Sequence, residues 1–454
     1  MEMNEQLSEL SERQEVGVTS AAMNEIRWRH RITKRCGGAT FDAPGGGYSF
    51  SAVLAEEREL MKQNMADEPE TALLKLSVAD PTWKMAPEAM DAAQGFYTVD
   101  QNATRYTDNR GIGACPHIGQ QGDTHAELAN YLRGRFTGGG VKFTPDHVQY
   151  SPHSIKGALA EYIPKAFFGE STRLVFPSPG YGVIKDPINN CGAEVEDVPL
   201  TFKDRKWDID YTGIRPTQGK ELVLYLNRPH NPTGSGYTAD DWKQVLGWAE
   251  ANNATLIVDE AYIDLYYMPE IVSVLTIPGW EKSCIVLQSV SKGWNATGLR
   301  FGWMVAHPTV IKALRKVTDV TDSGMFGPSI AAGLNCLRNP DRALETRDEY
   351  KTLHQHLSLG LRSAGFSTMM PDAGLCQFTP APRAANGVEF KDAVSCAQWF
   401  RENLRISLMH YTVNNLPWLR WAVTIAPVPE CGLQNEASVI GEAVRRLNSV
   451  TFAF

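Results

Sequence analysis

The chain has 454 residues, 43% hydrophobic and 21% charged, with 38 Gly and 26 Pro; it can hold two or three domains with a packed core, and collagen-like, low-complexity and disordered classes are excluded. Acidic side chains outnumber basic ones 52 to 44, a net charge of −8, so no global positive field draws the chain to nucleic acid or anionic lipid, and a small-molecule partner is expected. No apolar run approaches the roughly 20 residues of a membrane helix, the N-terminal stretch lacks a signal peptide's apolar segment, and the 8 cysteines contain no C-x-x-C pair, so the reading is a cytoplasmic protein with no membrane partner, no metal site and reduced, mostly buried thiols.

Residues 1–50 read as a polar N-terminal extension with a basic stretch over 27–35 and a glycine cluster, Gly45-Gly46-Gly47. The basic stretch suits a solvated helix face or a subunit contact better than a phosphate grip. Val53, Leu54, Leu60 and Met61 predict a helix over 50–65, and 73–78 reads as a strand; residues 51–105 are the N-terminal part of a small domain with its linker. No internal repeat is found.

Residues 106–340 form the predicted large domain, where apolar runs alternate with helical patterns as in a mostly parallel sheet wrapped by crossover helices. The runs 221–226, 254–258 and 284–287 are short, β-rich and suited to burial on both faces. Between the first two, Thr238 and Asp241 make a capping box, and Trp242, Val245, Leu246 and Ala249 recur at helical spacing, giving a βαβ unit. From 341 to 454 the pattern becomes a long helix over 341–364, strand-like pieces at 377–379 and 418–425, and a final helix over 435–448 packing through Ala437, Ile440, Ala443 and Val444. The fold class is therefore α/β, with a smaller α+β domain assembled from N- and C-terminal segments.

Ligands of open α/β sheets bind beyond the carboxyl ends of the strands. After the three runs come Asn227-Arg-Pro-His-Asn231-Pro-Thr-Gly234, then Asp259-Glu-Ala-Tyr262, then Gln288-Ser289-Val-Ser291-Lys292 with Gly298-Leu-Arg300-Phe-Gly302. Singly, each has an ordinary explanation: N-P-T-G is turn chemistry, and an Asp ending a strand often caps a helix. Their order, each set following a strand, places amide, carboxylate, phenol, hydroxyls, lysine and arginine along one edge.

These elements, N-P-T-G, D-E-A-Y and S-x-S-K-x-x-x-x-x-G-x-R-x-G, resemble the fold-type-I pyridoxal-phosphate enzymes of the class I/II aminotransferase superfamily across roughly residues 76–427. The stretch Ile277-Pro-Gly279 is similar to the LL-diaminopimelate aminotransferase branch. The resemblance implies that Lys292 forms a Schiff base with the cofactor and then moves the substrate Cα proton. It implies that Asp259 pairs with the protonated pyridine nitrogen, that Asn231 and Tyr262 donate to the ring's phenolate oxygen, and that Tyr181 stacks on the ring. For the phosphate it implies Ser289, Ser291, Arg300 and the backbone of Ser154, Ile155 and Lys156, in a turn lacking the glycine usual there. Arg420 matches the arginine that clamps the α-carboxylate, with Asn231 and Ala79 beside the substrate; Ala79 replaces a glycine common in Gly-Asp-Pro. Tyr106 resembles the tyrosine that reaches the neighbouring subunit's cofactor phosphate, which implies a homodimer with shared active sites.

The long polar segment 111–125 carries His117 and His125 and reads as a solvated loop, while His354 and His356 would point to different faces of their helix and so form no metal pair. The expected reaction is transfer of an amino group from an amino acid to a 2-oxo acid. Alternatives on the same fold are a lyase, cyclase, β/γ-replacement or carbon–carbon bond-forming enzyme of specialised metabolism, and a cofactor-binding regulator, against which stands the lack of a DNA-binding pattern.

Overall fold

The computed structural model describes residues 49–63, 72–99, 107 and 124–454. The N-terminal basic stretch, the glycine cluster, Tyr106, His117, Cys36 and Cys115 lie outside the described residues. The chain divides into two units, 1–65 and 66–454. In the first, the expected helix runs over Ser49–Gln63.

Among the described residues, seven strands form the main sheet of the second unit: β1 (Val148–Tyr150), β2 (Thr172–Ser178), β3 (Glu194–Pro199), β4 (Glu221–Asn227), β5 (Thr255–Asp259), β6 (Cys284–Ser289) and β7 (Gly302–Val305). Their spatial order is β1-β7-β6-β5-β4-β2-β3. β3, β2, β4, β5 and β6 pair in parallel, and β7 alone runs antiparallel to both neighbours. The period-2 alternation of a strand decides what each face buries. Leu222, Leu224, Leu226, Leu256, Val258 and Val286 enter one apolar cluster, and Val223, Tyr225, Ile257, Ile285 and Leu287 enter the cluster on the opposite face. Both faces are covered, which is why these runs carry almost no polar residue until their carboxyl ends.

The crossover between β4 and β5 is the helix Ala239–Ala251. Thr238 caps it by accepting from the Asp241 N–H, while the Asp241 carboxylate accepts from the Thr238 N–H at 2.8 Å. Such a cap contributes about 1 kcal/mol, and Trp242, Val245 and Ala249 are buried against the sheet cluster.

A third apolar cluster joins the helices Asp341–Ser363, Ala393–Asn403 and Glu436–Asn448 to the strands Cys376–Pro380 and Leu416–Ala422, the latter paired in turn with Met409–Val413. The N-terminal strand Leu74–Lys75 pairs in parallel with Ile406–Ser407, so both ends of the second unit contribute to this smaller α+β part. The strand expected over 73–78 is thus only two residues long, because its neighbour offers only two residues of pairing. The final helix buries Val439, Ile440, Ala443 and Leu447, whereas Ala437 is exposed; the true stripe begins two residues later than the pattern suggested. Glu442 and Arg446 are also buried there as an ion pair at 2.7 Å, with Arg446 donating to the carbonyls of Ala72 and Leu404.

Cys284, Cys336, Cys376, Cys396 and Cys431 are buried free thiols and Cys191 is half-buried. Among the described residues no helix is long and apolar enough to cross a membrane.

Candidate active site

Parallel pairing brings the carboxyl ends of β2, β4, β5 and β6 to one edge, with Asn227 opposite Asp259 and Asp259 opposite Leu287. Asp259 is the last residue of β5 and is 2% exposed. Its Oδ2 accepts from the Tyr225 hydroxyl at 2.9 Å and its Oδ1 from the Ala261 N–H at 3.0 Å. Burial pushes the carboxyl up to about 6, opposed by those two donors. Among the described residues no basic side chain is paired with it. A buried carboxylate without a cation is costly, so this edge can take a cationic partner that the described residues do not supply.

Lys292 lies in the turn after β6, with its side chain 17% exposed. Its ammonium donates to the Ala79 carbonyl at 2.6 Å and stands 3.9 Å from the Asp80 carboxylate. Burial pulls the amine down to about 8, with Asp80 and Cys376 opposing and Arg420 and Arg300 assisting. An amine so placed reaches its nucleophilic neutral form near physiological pH.

Arg420, 4% exposed in the strand Leu416–Ala422, donates to Asn231 Oδ1 at 3.0 Å and to the Ser77 carbonyl. Asn231 is held in turn by Asn227, whose Oδ1 accepts the Asn231 N–H at 2.8 Å and whose amide donates to the Asp259 carbonyl at 3.0 Å. Tyr262 is buried with its phenol pushed well up by desolvation, and Asp259, Arg420 and Tyr181 are within its electrostatic reach. Tyr181 follows β2, half-buried at the rim of the second apolar cluster. Asp259, Lys292, Asn231, Tyr262, Tyr181, Arg420 and Ala79 are therefore linked through direct contacts or electrostatic neighbourhood.

The other end of the site is looser. The Ser154 and Ser291 hydroxyls meet at 3.3 Å, and the Ser289 hydroxyl accepts from the Ser291 N–H at 3.3 Å. Gly302 makes this approach possible, since a Cβ there would stand 3.0 Å from Ser154 Cα. Arg300 is exposed and donates to the carbonyls of His153 at 2.7 Å and Thr297 at 2.8 Å. Where the expected glycine is missing, His153 and Ser154 adopt left-handed backbone, φ 65° and 64°, conformations that cost a non-glycine residue about 1 kcal/mol or more each. Ile155 is buried and the Lys156 side chain is exposed, so backbone N–H groups are what this turn offers an anion.

His125, read in a solvated loop, is instead fully buried in the helix Thr124–Arg135, its Nε2 3.2 Å from Gln149 Oε1. His354 is buried, its imidazole pulled down to about 4 by desolvation, while His356 is exposed, as the helical offset implied. Sequence reasoning missed Tyr225, Cys376 and Ser77. Tyr225 sits inside a strand run and reads as core; Asn227, also missed, ends its strand as Asp259 does, and that parallel was the signal available for it.

The sequence profile of the family Aminotransferase class I and II matches residues 71–428. The LL-diaminopimelate aminotransferase of Methanocaldococcus jannaschii is 29% identical, covering 93% of this chain and 98% of its own length. That of Aquifex aeolicus is 28% identical, over 76% of this chain and 84% of its own. Among solved structures, substrate-bound BacF from Bacillus subtilis superposes with a TM-score of 0.74 at 21% identity, covering 89% of this chain and 95% of that one. N-succinyldiaminopimelate aminotransferase from Mycobacterium tuberculosis gives 0.71 at 20%, covering 87% and 96%. Fold and site together define an α/β enzyme of fold type I, and the chain belongs to the aminotransferase class I and II family. It is a pyridoxal-phosphate-dependent aminotransferase, and these likenesses favour amino transfer over the lyase, cyclase and replacement alternatives.

Proposed function

We propose that this enzyme takes the amino group from a diaminopimelate-type amino acid and passes it to a 2-oxo acid, using the edge defined by Lys292, Asp259 and Arg420. The observation that carries the reading is a largely buried amine, donating to the Ala79 carbonyl and pulled down to about 8, within electrostatic reach of the buried Arg420 guanidinium. The donor's class comes from the names of the relatives matched over most of this chain.

When bound, pyridoxal phosphate supplies a reactive carbonyl and an electron sink that acidifies the Cα–H of an amino acid. Lys292 holds the cofactor and, once released, removes and returns the Cα proton at its Nζ. Asp259 holds the ring nitrogen's positive charge, Asn231 and Tyr262 donate to the ring oxygen, and Tyr181 covers a ring face. Ser289, Ser291, Arg300 and the N–H groups of Ser154, Ile155 and Lys156 hold the phosphate. Arg420 receives the α-carboxylate on two parallel N–H donors, beside Asn231 and Ala79. The same reading includes a cytoplasmic homodimer with Tyr106 reaching the neighbouring site. It also includes the division into 1–50, 51–105, a large domain over 106–340 and a small domain over 341–454.

The test is a single-turnover assay of the holoenzyme with LL-diaminopimelate and other amino acids, without and then with a 2-oxo acid acceptor. The expected result is stoichiometric oxo-acid product from the donor, followed by catalytic turnover when the acceptor is added. Release of ammonia or an elimination product, with no transfer to any acceptor, would overturn the reading.

A further inference from the structure

Tyr225 lies in the middle of β4, is 1% exposed, and shares the face of the apolar cluster containing Val223, Ile257 and Leu287. Its ring stacks on Phe176 of β2, centroids 5.5 Å apart and planes within 3°, which fixes where the phenol ends. A phenylalanine would fill this space equally well, and a buried hydroxyl in an apolar cluster costs free energy unless it is bonded. The hydroxyl's partner is Asp259 Oδ2 at 2.9 Å. With β4 and β5 in register at Asn227 and Asp259, the phenol spans the two-residue offset from position 225 to the strand end.

We propose that Tyr225 is a positioning residue for the reaction: its hydroxyl aims the Asp259 carboxylate and keeps it ionised for the cofactor's ring nitrogen. This rests on the reading of Asp259 given above. The Ala261 N–H fixes one carboxylate oxygen and the phenol fixes the other, leaving a lone pair on each for an incoming cation. The other titratable groups near this phenol and carboxylate are Tyr181 and Tyr262, neither of them cationic at neutral pH. Desolvation therefore favours the protonated carboxyl, and among the described residues the phenol is the one side-chain donor that opposes it. A protonated Asp259 would have no charge to offer a pyridinium.

The test uses the full-length protein and four forms: wild type, Tyr225→Phe, Asp259→Asn and the double variant. Infrared difference spectra of the cofactor-free protein, with Asp259→Asn as the blank, read the ionisation midpoint of Asp259. Tyr225→Phe should raise it by about one to two pH units, the size of a hydrogen bond to a charged group. Incorporating 3-fluorotyrosine, a more acidic donor, should lower it instead. Titration with pyridoxal phosphate at neutral pH should show roughly tenfold weaker binding for Tyr225→Phe in the wild-type background and little change in the Asp259→Asn background. An unmoved midpoint, or equal losses of affinity in both backgrounds, would overturn the proposal, the hydroxyl then acting through packing alone. Failure of the wild type to bind pyridoxal phosphate would overturn the reading of the site itself; the midpoint shift, read without cofactor, is decided separately.

Discussion

The two ends of the site are built by different means. At the Asp259 end, Tyr225, Asn227 and Asp259 stand on adjacent parallel strands, are buried, and are bonded to one another across the sheet. At the Arg300 end Ser289 closes a strand but Ser154, Ser291 and Arg300 stand on turns, and the guanidinium is exposed, with one N–H each on the carbonyls of His153 and Thr297. Sheet pairing positions residues without further help, whereas a turn needs special backbone, here the left-handed His153, Ser154 and Arg300 and the close approach allowed by Gly302. The Asp259 end, proposed for the ring, is thus held by its own hydrogen bonds, whereas the Arg300 end, proposed for the phosphate, rests on turns.

The most severe way to break this comparison is to remove the group between the two ends. Lys292→Ala should abolish turnover and the visible absorption of the lysine-bound cofactor. In the wild type, the rate of cofactor attachment should rise with pH through about 8, because only the neutral amine attacks and burial favours that form. A rising limb near the ordinary lysine value would contradict the placement.

Next, Asp259→Asn should retain pyridoxal phosphate poorly and lose most activity, since an amide cannot hold the ring nitrogen's charge; equilibrium dialysis and Cα-proton exchange measure both. Arg420→Lys should lower kcat/KM by roughly 30- to 1,000-fold, the worth of about 2–4 kcal/mol, with cofactor affinity intact, because one ammonium cannot replace two parallel N–H donors. An amine lacking the carboxylate should react about equally slowly with both forms.

A smaller effect is expected at the looser end. Arg300→Gln should weaken pyridoxal phosphate by roughly 10- to 100-fold while pyridoxal, which has no phosphate, binds unchanged. If Arg300→Gln costs as much as Asp259→Asn, the phosphate end is as rigidly built as the ring end and the contrast fails.

The smallest expected effect concerns Glu260, which adjoins Asp259 but accepts from Gln288, Ser273 and the Val274 N–H at 2.7–2.9 Å. Burial raises its carboxyl to about 7 despite those donors. A folded value above the unfolded one means that the folded state holds the proton longer, so this stabilising contribution is full below about 4.5 and is lost as pH rises through about 7. The melting temperature should fall by a few degrees, about 2–4 °C, across that window, and Glu260→Gln should flatten the slope. Calorimetry between those limits decides it.

Much of this was legible in the chain alone. The runs that became β4, β5 and β6, the Thr238 capping box and the order of Asn231, Asp259 and Lys292 depend on local period and local chemistry, which the sequence carries in full. The resemblance to the aminotransferases rested on those same strand-end residues, and the family profile covers them. What only the tertiary structure decided are relations between residues far apart in the chain: Arg420 on Asn231, 189 positions away, and Lys292 on the Ala79 carbonyl, 213 away. Tyr225 on Asp259 belongs with them, because a tyrosine within an apolar strand looks like core until the neighbouring strand's register is known. His125 shows the converse: a polar stretch reads as solvated, yet packing buries one of its imidazoles beside Gln149 and Tyr150. Periodicity tells a residue which face of its own element it occupies, and only the packing of elements tells it what stands opposite.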